Sequence, residues 1–144
     1  YLAERLDGLC TLSVKEAQAG MILEPNTAYI APGDFHMVLG SKVMLDLNQN
    51  PPESSCRPAV DVLFRSMARH LGAQVLAVVM TGMGQDGLQG CYQLKEAGAQ
   101  VLAQDESSSI VWGMPSHIVK ANLADDVLSL DDMCHAIVRR VLRQ

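Results

Sequence analysis

Residues 74–87 read QVLAVVMTGMGQDG, and this stretch constrains the fold more than any other. An apolar run ends at Thr81. Gly82, Met83, Gly84, Gln85, Asp86 and Gly87 follow, and a helical pattern begins behind them. A strand that stops in a glycine-rich turn ahead of a helix places that turn at the carboxyl edge of a sheet. Open α/β domains keep their ligands and reacting groups at that edge. The turn carries one carboxylate, Asp86.

The rest of the chain builds outward from this unit. Leu2, Leu6 and Leu9 follow helical spacing from the first residues, with no initiator Met and no capping residue ahead of them; we read the chain as a fragment that starts inside a helix. Short strands are expected over 11–14 and 28–31, and a hairpin over 36–39 and 42–47 joined at Gly40-Ser41. Residues 48–58 (NQNPPESSCRP) form a loop by composition. Val60, Leu63, Phe64, Met67, Ala68 and Leu71 share one face of a helix with Pro58 in its first turn and Gly72 at its exit. A strand over 75–80 leads into the glycine turn. The helix behind it runs through Ala97, with Leu88, Cys91, Tyr92 and Lys95 on one side. A strand over 100–104, a short helix over 114–123 and an edge strand over 126–130 follow. The last helix starts with a capping-box-like pair, Ser129 and Asp132, and offers Met133, Ile137, Val138, Val141 and Leu142 as its apolar face. Alternating strands and helices over 58–142 imply one α/β domain: a doubly wound, mostly parallel sheet with helices on both faces and an antiparallel hairpin, three layers in all.

With 144 residues, 49% of them apolar, the chain is long enough for one domain with a real core. Its formal charge of −5 argues against a general nucleic-acid binder. No apolar run approaches the ~18 residues of a membrane span, and no signal peptide is apparent. Cys10, Cys56, Cys91 and Cys134 lie far apart without a Cys-x-x-Cys pair, which points to reduced, partly buried thiols of a cytoplasmic protein rather than a metal site.

Three readings of the glycine turn stay open on local grounds. Gly82, Gly84 and Gly87 spell G-x-G-x-x-G, with an acid, Asp105, 18 residues beyond Gly87 at the end of the next strand. That is the dinucleotide fingerprint in its expected context. Against it, Asp86 would stand where the pyrophosphate rests, and the turn holds no basic residue to offset two like charges. Asp86 also suits a plain helix cap, worth about 1 kcal/mol. Third, an Asp at a strand tip can orient a His on a neighbouring loop and stabilise its imidazolium.

The blocks TGMGQDG, YIAPGDFHM (29–37), RPAVDVLF (57–64), AGAQVLAQDESSSIVWGMP (97–115) and ADDVLSL (124–130) occur in this order. Together they resemble the catalytic domain of the protein-glutamate methylesterase of bacterial chemotaxis, over essentially the whole chain. The resemblance implies a cytoplasmic serine hydrolase that removes methyl groups from glutamyl methyl esters on methyl-accepting chemotaxis receptors, in many members also deamidating glutamines, with no metal or cofactor. It implies a Ser-His-Asp triad whose Asp is Asp86, and an oxyanion and substrate vicinity at Met83 and Gly84. The family's Ser-Thr-Gly-Gly turn and Gln-His-Met block do not occur in residues 1–144. The resemblance therefore implies a catalytic domain without its amino-terminal part and without the receiver domain that family members carry. The competing expectation is a family member or fragment that only binds receptors or partners.

No other residue makes a comparable candidate. His36 is expected to pack at the hairpin, His70 and His135 on helix surfaces, and His117 near the sheet edge. Ser107, Ser108 and Ser109 lie in a polar turn without a G-x-S-x-G elbow. Arg57 and Asp61 suggest a local ion pair, and Trp112 a core position.

Overall fold

A computed structural model describes residues 1–143. Its first elements are α1 (Leu2–Asp7), β1 (Ser13–Glu16), β2 (Thr27–Ile30), β3 (His36–Leu39), β4 (Leu45–Asn48) and α2 (Val60–His70). After a 3-10 turn, Gly72–Gln74, come β5 (Leu76–Val79), α3 (Leu88–Glu96), β6 (Gln100–Gln104), α4 (Met114–Lys120), β7 (Asp126–Leu128) and α5 (Leu130–Leu142). The mixed α/β class, the parallel strands, the antiparallel pair and the helices on both faces are as expected.

The main sheet is parallel, with β5, β6 and β7 side by side in chain order. Leu76 stands opposite Gln100, and Leu102 opposite Asp126. Successive side chains of a strand point to opposite faces. Ala77, Val79, Val101 and Ala103 face Cys91 and Leu94 of α3 and Ile118 of α4, with Phe64 and Ala68 of α2 packed alongside. Leu102 faces the other way, onto Met133 and Ala136 of α5, with Leu76, Val78 and Ile137. One strand thus supplies both cores, and the sheet is the middle of three layers.

The antiparallel pair forms with Leu39 opposite Leu45. Its connection is longer than the expected two-residue turn. Met44 bridges to Ile22, and the Leu45 N–H donates to the Met21 carbonyl, so 42–44 answers a different segment. The strands β1 and β2 pair with each other in parallel, a link that periodicity does not reveal.

Helix α2 joins the hairpin to the sheet. Leu63 packs on the cluster of Met37, Leu39 and Leu45, while Met67 and Leu71 reach both cores. Ser66 Oγ accepts from the Leu39 N–H at 3.0 Å and donates to the Leu63 carbonyl at 2.7 Å. His36 is fully buried. Its Nδ1 accepts from the Ala59 N–H at 3.2 Å, so the ring proton sits on Nε2, 3.1 Å from the Pro51 carbonyl. Helix α2 begins at Val60, after Ala59, and not with Pro58 in its first turn.

Helix α5 has the expected cap, with Ser129 Oγ accepting from the Asp132 N–H. Its apolar face is narrower than expected. Leu130 N–H reaches Ser108 beyond the carboxyl end of β6, and Arg140 reaches Gln100 at the amino end. The helix runs antiparallel to β6 and has passed the strand by Val141 and Leu142, which are 55% and 78% exposed. Val138 points outward as well, a quarter-turn round from Ile137.

Candidate active site

The turn after β5 is held from three sides. Gln104 ends β6 as a polar side chain only 1% exposed. Its Oε1 accepts from the Thr81 N–H at 2.8 Å, and its Nε2 donates to the Ser108 carbonyl at 2.9 Å. Thr81 Oγ1 accepts from the Val111 N–H at 2.9 Å, and the Gly82 N–H donates to the Val111 carbonyl at 2.9 Å. The N–H groups of Gly113 and Met114 both donate to the Gly82 carbonyl. The turns after β5 and β6 are therefore one bonded unit at the carboxyl edge.

The close approach depends on Gly113. A Cβ there would lie 2.6 Å from the Gly82 oxygen and 3.0 Å from the Gly84 nitrogen, both backbone atoms that cannot step aside. Gly84 has φ +88° and open space around it, a left-handed position that suits glycine. Met83 stands 86% exposed at the tip of the turn, and Ile110 and Val111 are exposed as well. Trp112 is half-buried; its indole N–H donates to the Gln104 carbonyl at 3.0 Å, and Lys120 Nζ lies 5.9 Å from the ring centroid.

Asp86 is 7% exposed. It does not cap its own helix, since Gly87 (φ +99°) is the residue ahead of α3 and offers no side chain. It caps α2 instead. The Val60 N–H donates to its Oδ2 at 2.7 Å and the Asp61 N–H to its Oδ1 at 2.9 Å. Two N–H groups use half of the carboxylate's four lone-pair sites and leave the others for a further donor. The carboxylate thus sits at the positive end of the α2 dipole. Beside Val60, an apolar pocket of about 150 Å³ is lined by Ala31, Met37, Pro58, Ala59, Val60 and Leu63.

Asp61 answers in kind. Its Oδ1 accepts from the N–H groups of Gly87 at 3.0 Å and Gly90 at 2.8 Å. The local ion pair expected for Asp61 is not there. Arg57 turns to Asp34, with Nε at 3.0 Å and a second guanidinium contact at 2.5 Å, and Arg65 pairs with Glu53. The reason is competition. An ion pair at the surface gains little, whereas two helix N–H groups without partners in a buried crossing are costly. Burial pushes the Asp61 carboxyl above its ordinary value, and the charge of Asp86 adds to this, against the pull of the Gly90 and Gly87 N–H groups. The same surroundings push the Cys91 thiol up to about 12, by burial first and the Asp61 charge second, so it is no nucleophile. Cys91 is the one buried cysteine; Cys10, Cys56 and Cys134 are exposed, contrary to the expectation of partly buried thiols.

This arrangement removes the dinucleotide reading. The N–H groups of Gly87 and Gly90, which a pyrophosphate at the start of α3 needs, are taken by a carboxylate, and a second carboxylate stands beside them. Among the described residues no histidine bonds Asp86. His36 is engaged on both nitrogens by backbone as expected of a packing residue, His135 is exposed, and His70 and His117 are half-buried on α2 and α4. Four positions that hold this edge together and that periodicity missed are Asp61, Gly90, Gln104 and Gly113. Of these only Gln104 carries a local signal, as an amide that ends the apolar run Val101-Leu102-Ala103.

A carboxylate clamped at the carboxyl edge of a parallel sheet, beside an exposed glycine turn, defines a three-layer α/β domain with its candidate site at that edge. The family model for the CheB methylesterase matches residues 1–137, and the chain belongs to that family. It is 50% identical over 143 residues to the protein-glutamate methylesterase/protein-glutamine glutaminase of Trichodesmium erythraeum (strain IMS101), covering 97% of this chain and 41% of that protein. The protein of the same description, numbered 2, from Methanosarcina mazei is 47% identical, with 97% of this chain and 40% of that protein covered. The chain thus spans about two fifths of the length of these curated relatives. The crystal structure of the Thermotoga maritima CheB methylesterase catalytic domain superposes with a TM-score of 0.92 at 36% identity, over 96% of this chain and 75% of that one.

Proposed function

We propose that the full-length gene product hydrolyses glutamyl methyl esters on the cytoplasmic region of methyl-accepting chemotaxis receptors, and that Asp86 is the Asp of its Ser-His-Asp triad. The relatives' names, which pair methylesterase with glutaminase, support ester hydrolysis and glutamine deamidation at one site. Both are acyl transfers from a glutamyl side chain to water. The observation that carries the reading is the Asp86 carboxylate, buried and clamped by two N–H groups, with lone pairs to spare, beside the TGMG turn.

In this mechanism a serine oxygen attacks the ester carbonyl while a histidine takes its proton; the histidine gives that proton to the departing methanol, and water, activated by the same histidine, then frees the glutamate and restores the serine. Asp86 accepts from the other ring N–H, fixes the tautomer and stabilises the imidazolium. Its own clamp keeps it aimed, so no reorganisation is needed when the imidazolium charge appears. In this reading the exposed backbone N–H groups at Met83 and Gly84 supply the donors to the developing oxyanion. The reading takes the serine and histidine from the part of the relatives' length that residues 1–144 do not span. The cytoplasm is the compartment that fits.

The test is an ester assay on the full-length gene product and on residues 1–144. The short chain is expected to give no turnover. In the full-length protein Asp86→Asn is expected to lower kcat by about four powers of ten, through the wrong histidine tautomer. Turnover by the short chain, or unchanged kcat in Asp86→Asn, overturns the assignment.

A further inference from the structure

We propose that Asp61 is a positioning residue for the reaction: through the first turn of α3 it sets where the Asp86 carboxylate stands. This rests on reading Asp86 as the triad Asp.

The two helices begin at the same place, and each is capped by a carboxylate from the other's start. Asp86, which directly precedes Gly87, holds the N–H groups of Val60 and Asp61 at the start of α2. Asp61, the second residue of α2, holds the N–H groups of Gly87 and Gly90 at the start of α3. Four bonds close a ring through two side chains and two helix ends. Neither carboxylate can move without dragging the other helix.

Gly90 sets how closely the ring is drawn. A Cβ there would lie 2.5 Å from Phe64 Cβ and 3.3 Å from Asp61 Cα. With glycine, α3 sits close enough on α2 for Asp61 to reach two of its donors. Without the Asp61 oxygen, the Gly87 and Gly90 N–H groups are buried without a partner, and the turn must shift to find water. The residue immediately before Gly87 is Asp86, so that shift lands on the carboxylate. Gln104 and Gly113 hold the far side of the same loop, at Thr81 to Gly84. Asp61 holds the near side, where Asp86 is. The two carboxyl groups fit side by side here because each accepts two N–H bonds at the start of a helix.

A residue that only stabilises the fold and one that positions Asp86 differ in measurable ways. In the full-length gene product, Asp61→Ala is expected to lower kcat for a glutamyl methyl ester by about 100-fold with KM unchanged, the cost of a misplaced catalytic group. Asp61→Asn keeps an oxygen for Gly87 and Gly90 and is expected to hold kcat within about threefold. Asp61→Glu keeps the charge but carries its oxygens one methylene too far, and is expected to lose about tenfold; it serves if Asp61→Ala does not fold. In residues 1–144, amide exchange at Val60 and Asp61, the two N–H groups that Asp86 holds, is expected to speed up in the Ala and Glu variants and not in Asn. Ala or Glu variants with wild-type kcat per folded molecule and unchanged exchange at Val60 overturn the proposal. If Asp86→Asn retains full turnover, the triad reading fails, and the exchange readout alone decides whether Asp61 positions Asp86.

Discussion

Asp61 and Gly113 show how much a single residue carries at this edge. Gly113→Ala places a methyl 2.6 Å from a backbone oxygen. It is expected to lower stability by about 2–3 kcal/mol, as overpacking against unyielding atoms does, and to lower the melting temperature accordingly. Gly33→Ala meets nothing within 4 Å and serves as the neutral control. Asp61 makes a prediction about pH. Its folded-state value is raised by burial and by Asp86, so the native state binds more protons than the unfolded chain in the interval between the two values. Its contribution to stability is therefore present below the unfolded Asp value of about 3.9 and declines as pH rises through the folded value. Asp61→Asn removes that decline. Denaturant titrations across pH should show the variant gaining on the wild type as pH rises from 3 to about 7. A pH-independent difference between them rejects this account. None of this is legible from position alone, because an acid four residues from an arginine reads as half of a local ion pair, and its real partners, Gly87 and Gly90, lie more than twenty residues away.

At the scale of elements, local chemistry and tertiary contact divide the work. The start of α5 is local: Ser129 Oγ accepts from the Asp132 N–H at 3.2 Å. Ser129→Ala is expected to cost about 1 kcal/mol in chemical denaturation, with little effect elsewhere. The start of α2 is not local. Ala59 has no side chain to cap it, and the cap comes from Asp86, 26 residues on. The helices over 60–70, 88–96 and 130–142 and the two strands of the hairpin were readable because apolar spacing of 3.6 and 2 residues reports which faces meet a core. The pairing of β1 with β2 was not, because two short strands with no shared turn chemistry carry no signal of partnership. The outer end of α5 was misjudged for a related reason. Periodicity tells which side of a helix is apolar and says nothing of how long the strand beneath it is.

Across the whole molecule, carboxylates act in opposite directions. Asp125 joins α3 to the sheet, with Lys95 Nζ at 2.7 Å and the Val101 N–H donating at 2.7 Å. Burial raises its value, but the Lys95 hydrogen bond and the Val101 N–H outweigh that, and it is lowered on balance. Its contribution is therefore present above the unfolded Asp value and is lost as pH falls through the folded one. Asp125→Asn is expected to weaken the protein at neutral pH and to leave it less sensitive to acid; thermal melts at pH 7 and pH 3 measure both, and a deficit that persists undiminished at pH 3 counts against it. The net charge of −5 thus conceals two kinds of acid, one that resists ionisation at the helix crossing and one that favours it across the sheet.

The sequence by itself determined the α/β class, the turn that bears Asp86 and the family to which the chain belongs. Periodic apolar residues and ordered motif blocks are properties of the chain that survive without coordinates. Only the tertiary structure decided what Asp86 holds and what holds Asp86. Those bonds join N–H groups and carboxylates more than twenty residues apart, and a donor has no partner until packing brings one within about 3 Å.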